Sequence, residues 1–104
     1  SKGKLIALLS YVTIFGALLA IFLNVERKNP FVAFHTRQGL GLWITYMLIG
    51  LIIYPLDILM VYYAFWLFIG ALIINGMIGA ISGKLYSVPF FGGYYQKILK
   101  SIGG

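Results

Sequence analysis

The chain has 104 residues, of which 62% are hydrophobic and 10% charged, far below the roughly 25% charge of a soluble globular domain. A soluble fold this small cannot hide so much apolar surface inside itself, so a free-standing soluble domain is excluded and lipid is left as the natural solvent. The net charge of +6 draws phosphates in principle, but all eight Lys and Arg residues flank apolar runs, which is how helix ends sit at headgroups rather than how a nucleic-acid face is built.

The first apolar run, LIALLSYVTIFGALLAIFL at residues 5–23, is long enough to cross a hydrocarbon core of about 30 Å. Lys2 and Lys4 imitate the head of a signal peptide, but no small-residue cleavage site follows, so the run reads as a retained span. Asn29-Pro30 then reads as a helix start, Asn capping and Pro in the first turn. A helix from Pro30 to Tyr54 measures roughly 37 Å at standard rise, more than the core needs. Its first turns, residues 30–37, are expected at the interface, and residues 38–54 within the membrane.

Tyr54-Pro55-Leu56-Asp57 reads as a tight turn, with Asp57 capping the next helix. Residues 58–82 carry no charge and form the clearest span, closed by Gly83 as a helix stop and by Lys84 near the negative helix end. The tail, residues 85–102, has no run long enough to cross. It reads as an amphipathic interfacial segment anchored by Phe90, Phe91, Tyr94 and Tyr95. The expected fold class is thus all-α: one integral membrane domain with about three transmembrane helices and a short interfacial C-terminal segment.

Three spans place the chain ends on opposite sides. Lys2, Lys4 and Asp57 share one side; Arg27, Lys28, Arg37, Lys84, Lys97 and Lys100 share the other. The excess of cations points to a cytoplasmic middle loop and C-terminus, with the N-terminus outside.

The chain holds no cysteine, one His and two acids, which excludes thiolate chemistry and argues against a zinc or calcium site built within one chain. No cofactor is expected. No nucleophile–base pair, phosphate loop or carboxylate pair can be assembled, so the expectation is a protein without enzyme activity. The richest stretch is NPFVAFHTRQGLG, residues 29–41. On a helix, Phe31, His35, Gln38, Leu42 and Thr45 share one stripe, giving a polar line that faces protein or water rather than lipid. Phe34, His35, Arg37, Gln38 and Gly39 are the candidate groove or partner-binding residues; the plainer alternative is snorkelling and helix-to-helix bonding. Ala71, Asn75, Gly79 and Gly83 stand four apart and form a small-residue face for close packing, against the first helix through Gly16 and Ala20 or against a partner.

The F-x-x-FH-x-RQ-x-LG pattern at residues 31–41 and the VP-x-x-G-x-Y-x-Q pattern at residues 88–96 resemble small bacterial proteins that are similar to the membrane subunit of the translocon at the inner chloroplast envelope (Tic), and to a related bacterial domain of unknown function. The resemblance implies an α-helical protein of the bacterial cytoplasmic (inner) membrane and marks His35, Arg37, Gln38 and Gly39 as motif positions. Plastid members have four spans and are associated with a preprotein-conducting channel; three spans fit here.

The resulting expectation is a non-enzymatic small membrane subunit of a larger complex, linked to protein translocation or insertion. The alternative is a homo-oligomeric channel or carrier for a small solute or ion. A weaker reading is a lipid-interacting protein that uses its basic, aromatic tail on anionic headgroups. The expected partners are membrane lipids and other membrane subunits or further copies of the chain, and no nucleic acid.

Overall fold

The computed structural model describes residues 2–102, and among them it contains helices and no strand. In chain order these are α1 (Lys2–Leu9), α2 (Ile14–Arg27), α3 (Pro30–Ile53), α4 (Leu59–Ser82) and α5 (Gly92–Ile98), with a short 3-10 turn at Tyr54–Leu56. Two segments, Pro30–Leu56 and Leu59–Ser82, are long and apolar enough to cross a membrane.

The frame is the antiparallel pair α3 and α4. Asn29 starts α3 by accepting the Phe31 N–H at 2.9 Å through its side chain, with Pro30 in the first turn; both roles were legible in the sequence. At the far end the turn containing Pro55 closes on Asp57, whose N–H donates to the Tyr54 carbonyl. Asp57 therefore ends the 3-10 turn at φ 52° instead of capping α4. The N-cap position belongs to Ile58, without a side-chain bond. The capping role expected of Asp57 is corrected: the extra 3-10 turn places the reversal on this residue.

The first apolar run is also corrected. It is not one helix but two, broken at residues 10–13, where Thr13 starts α2 by accepting the Gly16 N–H at 3.1 Å. Both arms end at the same end of the α3–α4 pair. The Lys4 side chain reaches Gly83 at the end of α4, and the Tyr11 ring lies on Gly76 further along it. On the other arm, Asn24 bonds Asn29 at the start of α3. The pair α1–α2 enters alongside α3 and α4 and turns back. Two candidate spans remain, and residues 5–23 form instead a helical hairpin whose arms pack against α3 and α4. The physical reason lies inside the run: the turn brings Ser10 and Tyr11 onto His35 and Gln38 of α3 and lets Thr13 start α2.

The tail makes a second excursion. Residues 84–88 rise along α3, since His35 meets the Lys84 carbonyl and Gln38 meets Tyr86 and Val88. Phe90 and Phe91 reach Phe68 of α4, and α5 then descends, with Gln96 bonding the Phe34 carbonyl at 2.9 Å. The chain thus runs up and down six times. Lys28, Asp57, Gly83 and Phe90, all at positive φ, sit at four of its five reversals. For Phe90, at φ 71°, that conformation is a genuine outlier, held by the packed elements on either side.

These excursions make the two halves of the pair unequal. Among the described residues, every buried one lies in residues 7–42 or 69–95, and none lies in 43–68. One half is a packed bundle of α1, α2, α5, residues 84–89 and the adjoining parts of α3 and α4. The other is α3 and α4 alone, with Leu51 72% and Met60 82% exposed. The eight Lys and Arg residues fall in the wide half, and Asp57 is the charged residue of the narrow end.

Candidate functional site

The feature that organises the wide half is a polar junction where the two irregular segments, residues 10–13 and 84–88, meet the first turns of α3. Residues 84–88 carry backbone groups no helix satisfies, and His35 and Gln38 supply their partners, while the Tyr11 side chain of the other segment bonds both of these residues; all three side chains are fully buried.

The direction of each bond follows from the acceptors. His35 Nε2 lies 2.8 Å from the Lys84 carbonyl, which can only accept, so the proton is on Nε2. Nδ1 is then an acceptor, and the Tyr11 hydroxyl donates to it at 2.6 Å. The same hydroxyl oxygen accepts from Gln38 Nε2 at 2.8 Å, and the second Nε2 hydrogen goes to the Tyr86 carbonyl at 3.0 Å. Gln38 Oε1 accepts the Val88 N–H at 2.9 Å, which fixes the amide orientation. Every donor and acceptor of this relay is thereby used. Ser10 closes its flank: its hydroxyl hydrogen is shared between the Ala7 carbonyl at 2.6 Å and the His35 carbonyl at 2.9 Å.

Rings and glycines complete the junction. Phe31 and Phe34 meet the His35 ring edge-on, with centroids at 4.8 and 5.2 Å, a favoured aromatic geometry. Gly39 lies against the Ser10 carbonyl so closely that a Cβ would collide with backbone. Gly76 receives the Tyr11 ring and Gly41 the Tyr95 ring in the same way. Arg37 points to the tail, donating to the carbonyls of Ile102 at 2.8 Å and Lys100 at 3.2 Å. Tyr95 shares a 2.7 Å bond with Thr45; burial pushes its phenol above the ordinary range, and the Thr45 bond partly offsets the rise.

All five motif residues, Phe34, His35, Arg37, Gln38 and Gly39, therefore lie at or beside this junction. Of the expected packing residues, Gly79 is buried beside His35 and Tyr86, and Gly83 ends α4 against the Lys4 side chain. Ala71 faces outward and Asn75 is half-buried, its Oδ1 without a hydrogen-bond partner. The close-packed face of α4 runs instead through Leu72, Gly76, Gly79 and Ala80, and it meets α1 and α3. The Gly16 and Ala20 side of α2 packs elsewhere, Gly16 against Leu9 and α2 chiefly against α3. In the tail, Phe91 and Tyr95 pack inward while Phe90 and Tyr94 are exposed. Reading the sequence missed Ser10 and Tyr11. Two hydrogen-bonding side chains together in the middle of an apolar run were the signal.

A family model, that of the magnetosome magnetite crystal formation proteins (MamF/MmsF), matches residues 3–94. The chain belongs to this family. The match takes in α1 to α4 and the rise of the tail, so the whole junction lies within it. It overturns the resemblance to the chloroplast import subunit: the family that matches residues 3–94, and with them the motif at residues 31–41, is a different one. The chain is also similar to the UPF0132 membrane protein of Methanocaldococcus jannaschii, 34% identical over 86 residues that cover 77% of this chain and 61% of the relative. It spans about three fifths of that relative's length. No solved structure matches the chain. It is a small membrane protein of the MamF/MmsF family.

Proposed function

We propose that the chain is a non-enzymatic structural component of a membrane assembly, acting through what it organises rather than through chemistry of its own. The observation that carries this is the closed relay Gln38–Tyr11–His35–Lys84 carbonyl. The polar side chains most able to do chemistry are consumed in holding two non-helical segments on α3, and a group so employed is not available to a substrate. The same fact argues against the channel or carrier alternative. Gln38 is buried within the protomer, and Thr45 is bonded to Tyr95. Neither is left to line a shared axis.

The family name concerns magnetite crystal formation. For this chain we take that role to be indirect. Its two acids are Glu26 and Asp57, at opposite ends of the α3–α4 pair, so no carboxylate array is available as a template for iron oxide. A scaffold within the membrane that bounds the crystal suits these residues better.

The setting proposed is a bacterial cytoplasmic membrane or a compartment derived from it. The re-entrant α1–α2 changes the expected orientation, because both chain ends now share a side with all eight cations. The positive-inside tendency then places that whole side in the cytoplasm, N-terminus included.

The test is gentle solubilisation of native membranes carrying a tagged chain. The reading expects a defined assembly larger than the monomer, with reproducible companion subunits or a fixed copy number. A lone monomer under every mild condition would overturn it.

A further inference from the structure

The inequality of the two halves has a mechanical consequence for the bilayer. At 1.5 Å per residue, the bundled part of α3, residues 30–42, and its bare part, residues 43–53, are each roughly 16–20 Å long, about one leaflet apiece. In the wide half, six chain segments stand side by side: α1, α2, α3, α4, residues 84–89 and α5. In the narrow half there are two, and no residue from 43 to 68 is buried.

We infer that the protein is a wedge in the membrane, which partitions toward, and at high density produces, curvature that is convex on its basic side.

The wide half displaces more area from its own leaflet than the narrow half does from the other. A flat bilayer must stretch one leaflet or compress the other around such an inclusion, whereas a bilayer bent toward the wide side relieves both. This is the effect by which helices inserted in one leaflet become sensitive to curvature, here built into an integral fold. The wedge is stiff where it is wide. α1 and the tail are tied to α3 by the Tyr11, His35 and Gln38 bonds, by the Arg37 bonds to the tail and by glycine contacts that leave no room for a Cβ. The excess area therefore does not collapse when the bilayer presses on it. The cations of the wide end add attraction to anionic headgroups, but the preference rests on shape, and that separates the two effects experimentally.

The chain has no cysteine, so Lys97→Cys, at an exposed position of α5, gives a single labelling site on the basic side. The full chain, labelled there, is reconstituted into vesicles of mixed diameter, made once from phosphatidylcholine alone and once with added phosphatidylglycerol. Single-vesicle fluorescence gives protein density against diameter, and a membrane-impermeant quencher separates molecules with the basic end outside from those with it inside. The wedge predicts that basic-end-out molecules are enriched several-fold on the smallest vesicles and basic-end-in molecules depleted, in both lipid mixtures. Density independent of diameter, the same trend for both orientations, or a preference present only with phosphatidylglycerol would each overturn it.

Discussion

The Tyr11 hydroxyl donates to His35 Nδ1 across 2.6 Å, and this bond ties the turn of the first hairpin to the helix that crosses beside it. It also sets the direction of the whole junction, because the other ring nitrogen is committed to the Lys84 carbonyl.

Tyr11→Phe removes that donor and the acceptor that Gln38 uses, while leaving the ring on Gly76. Two buried groups lose a partner, so the variant is expected to lose about 1–3 kcal/mol of stability. Equilibrium denaturation in detergent measures this. A loss close to zero would mean that the relay does not hold the hairpin.

Two glycines of α3 separate close approach from mere helix composition. Gly39→Ala drives a methyl into the Ser10 carbonyl and is expected to cost about 1–3 kcal/mol through overpacking. Gly50→Ala meets nothing within 4 Å, and helix propensity alone favours it by up to about 1 kcal/mol. The same denaturation assay should show opposite signs.

Arg37→Lys keeps the charge but loses the planar fork that reaches the Lys100 and Ile102 carbonyls. The tail beyond α5 should then be cut faster by protease while the α3–α4 pair stays intact. Unchanged cleavage would show that these bonds do not restrain the tail.

Much of this fold was legible in the residues, and the gaps have a common cause. The start of α3 at Asn29-Pro30 and the end of α4 at Gly83 are local chemistry, readable from a few neighbours. Hydropathy over residues 5–23, by contrast, says that the segment prefers lipid and not whether it crosses. The break at Ser10 and Tyr11 is stable only because His35, Gln38 and Gly39 wait for it, 24 or more residues further on. His35 and Gln38 were visible as a polar stripe, but their partners are mostly backbone groups of residues 84–88, and a backbone carbonyl leaves no mark in a sequence. The stripe through Ala71, Asn75, Gly79 and Gly83 went astray for a related reason: spacing four apart names a face, and only the Tyr11 ring on Gly76 shows which face is used.

Tyr95 supplies a pH dependence. Its buried phenol titrates above the ordinary value of 10.0, so the folded state holds the proton where the unfolded chain releases it. Its contribution is fully present below about pH 10 and is lost as pH rises through the folded value. Comparing the chain with Tyr95→Phe across the alkaline range should show a steeper decline for the chain that keeps the phenol; parallel curves would contradict the assignment.

The central claim is that the first apolar run enters the membrane and returns. Single cysteines at Lys2, Asp57 and Lys97, one per otherwise cysteine-free chain, test it with an impermeant thiol reagent on sealed membranes. The re-entrant hairpin predicts that positions 2 and 97 are labelled from the same face and position 57 from the opposite one. Labelling of positions 2 and 57 from one face, with 97 alone on the other, would restore three spans and contradict the account.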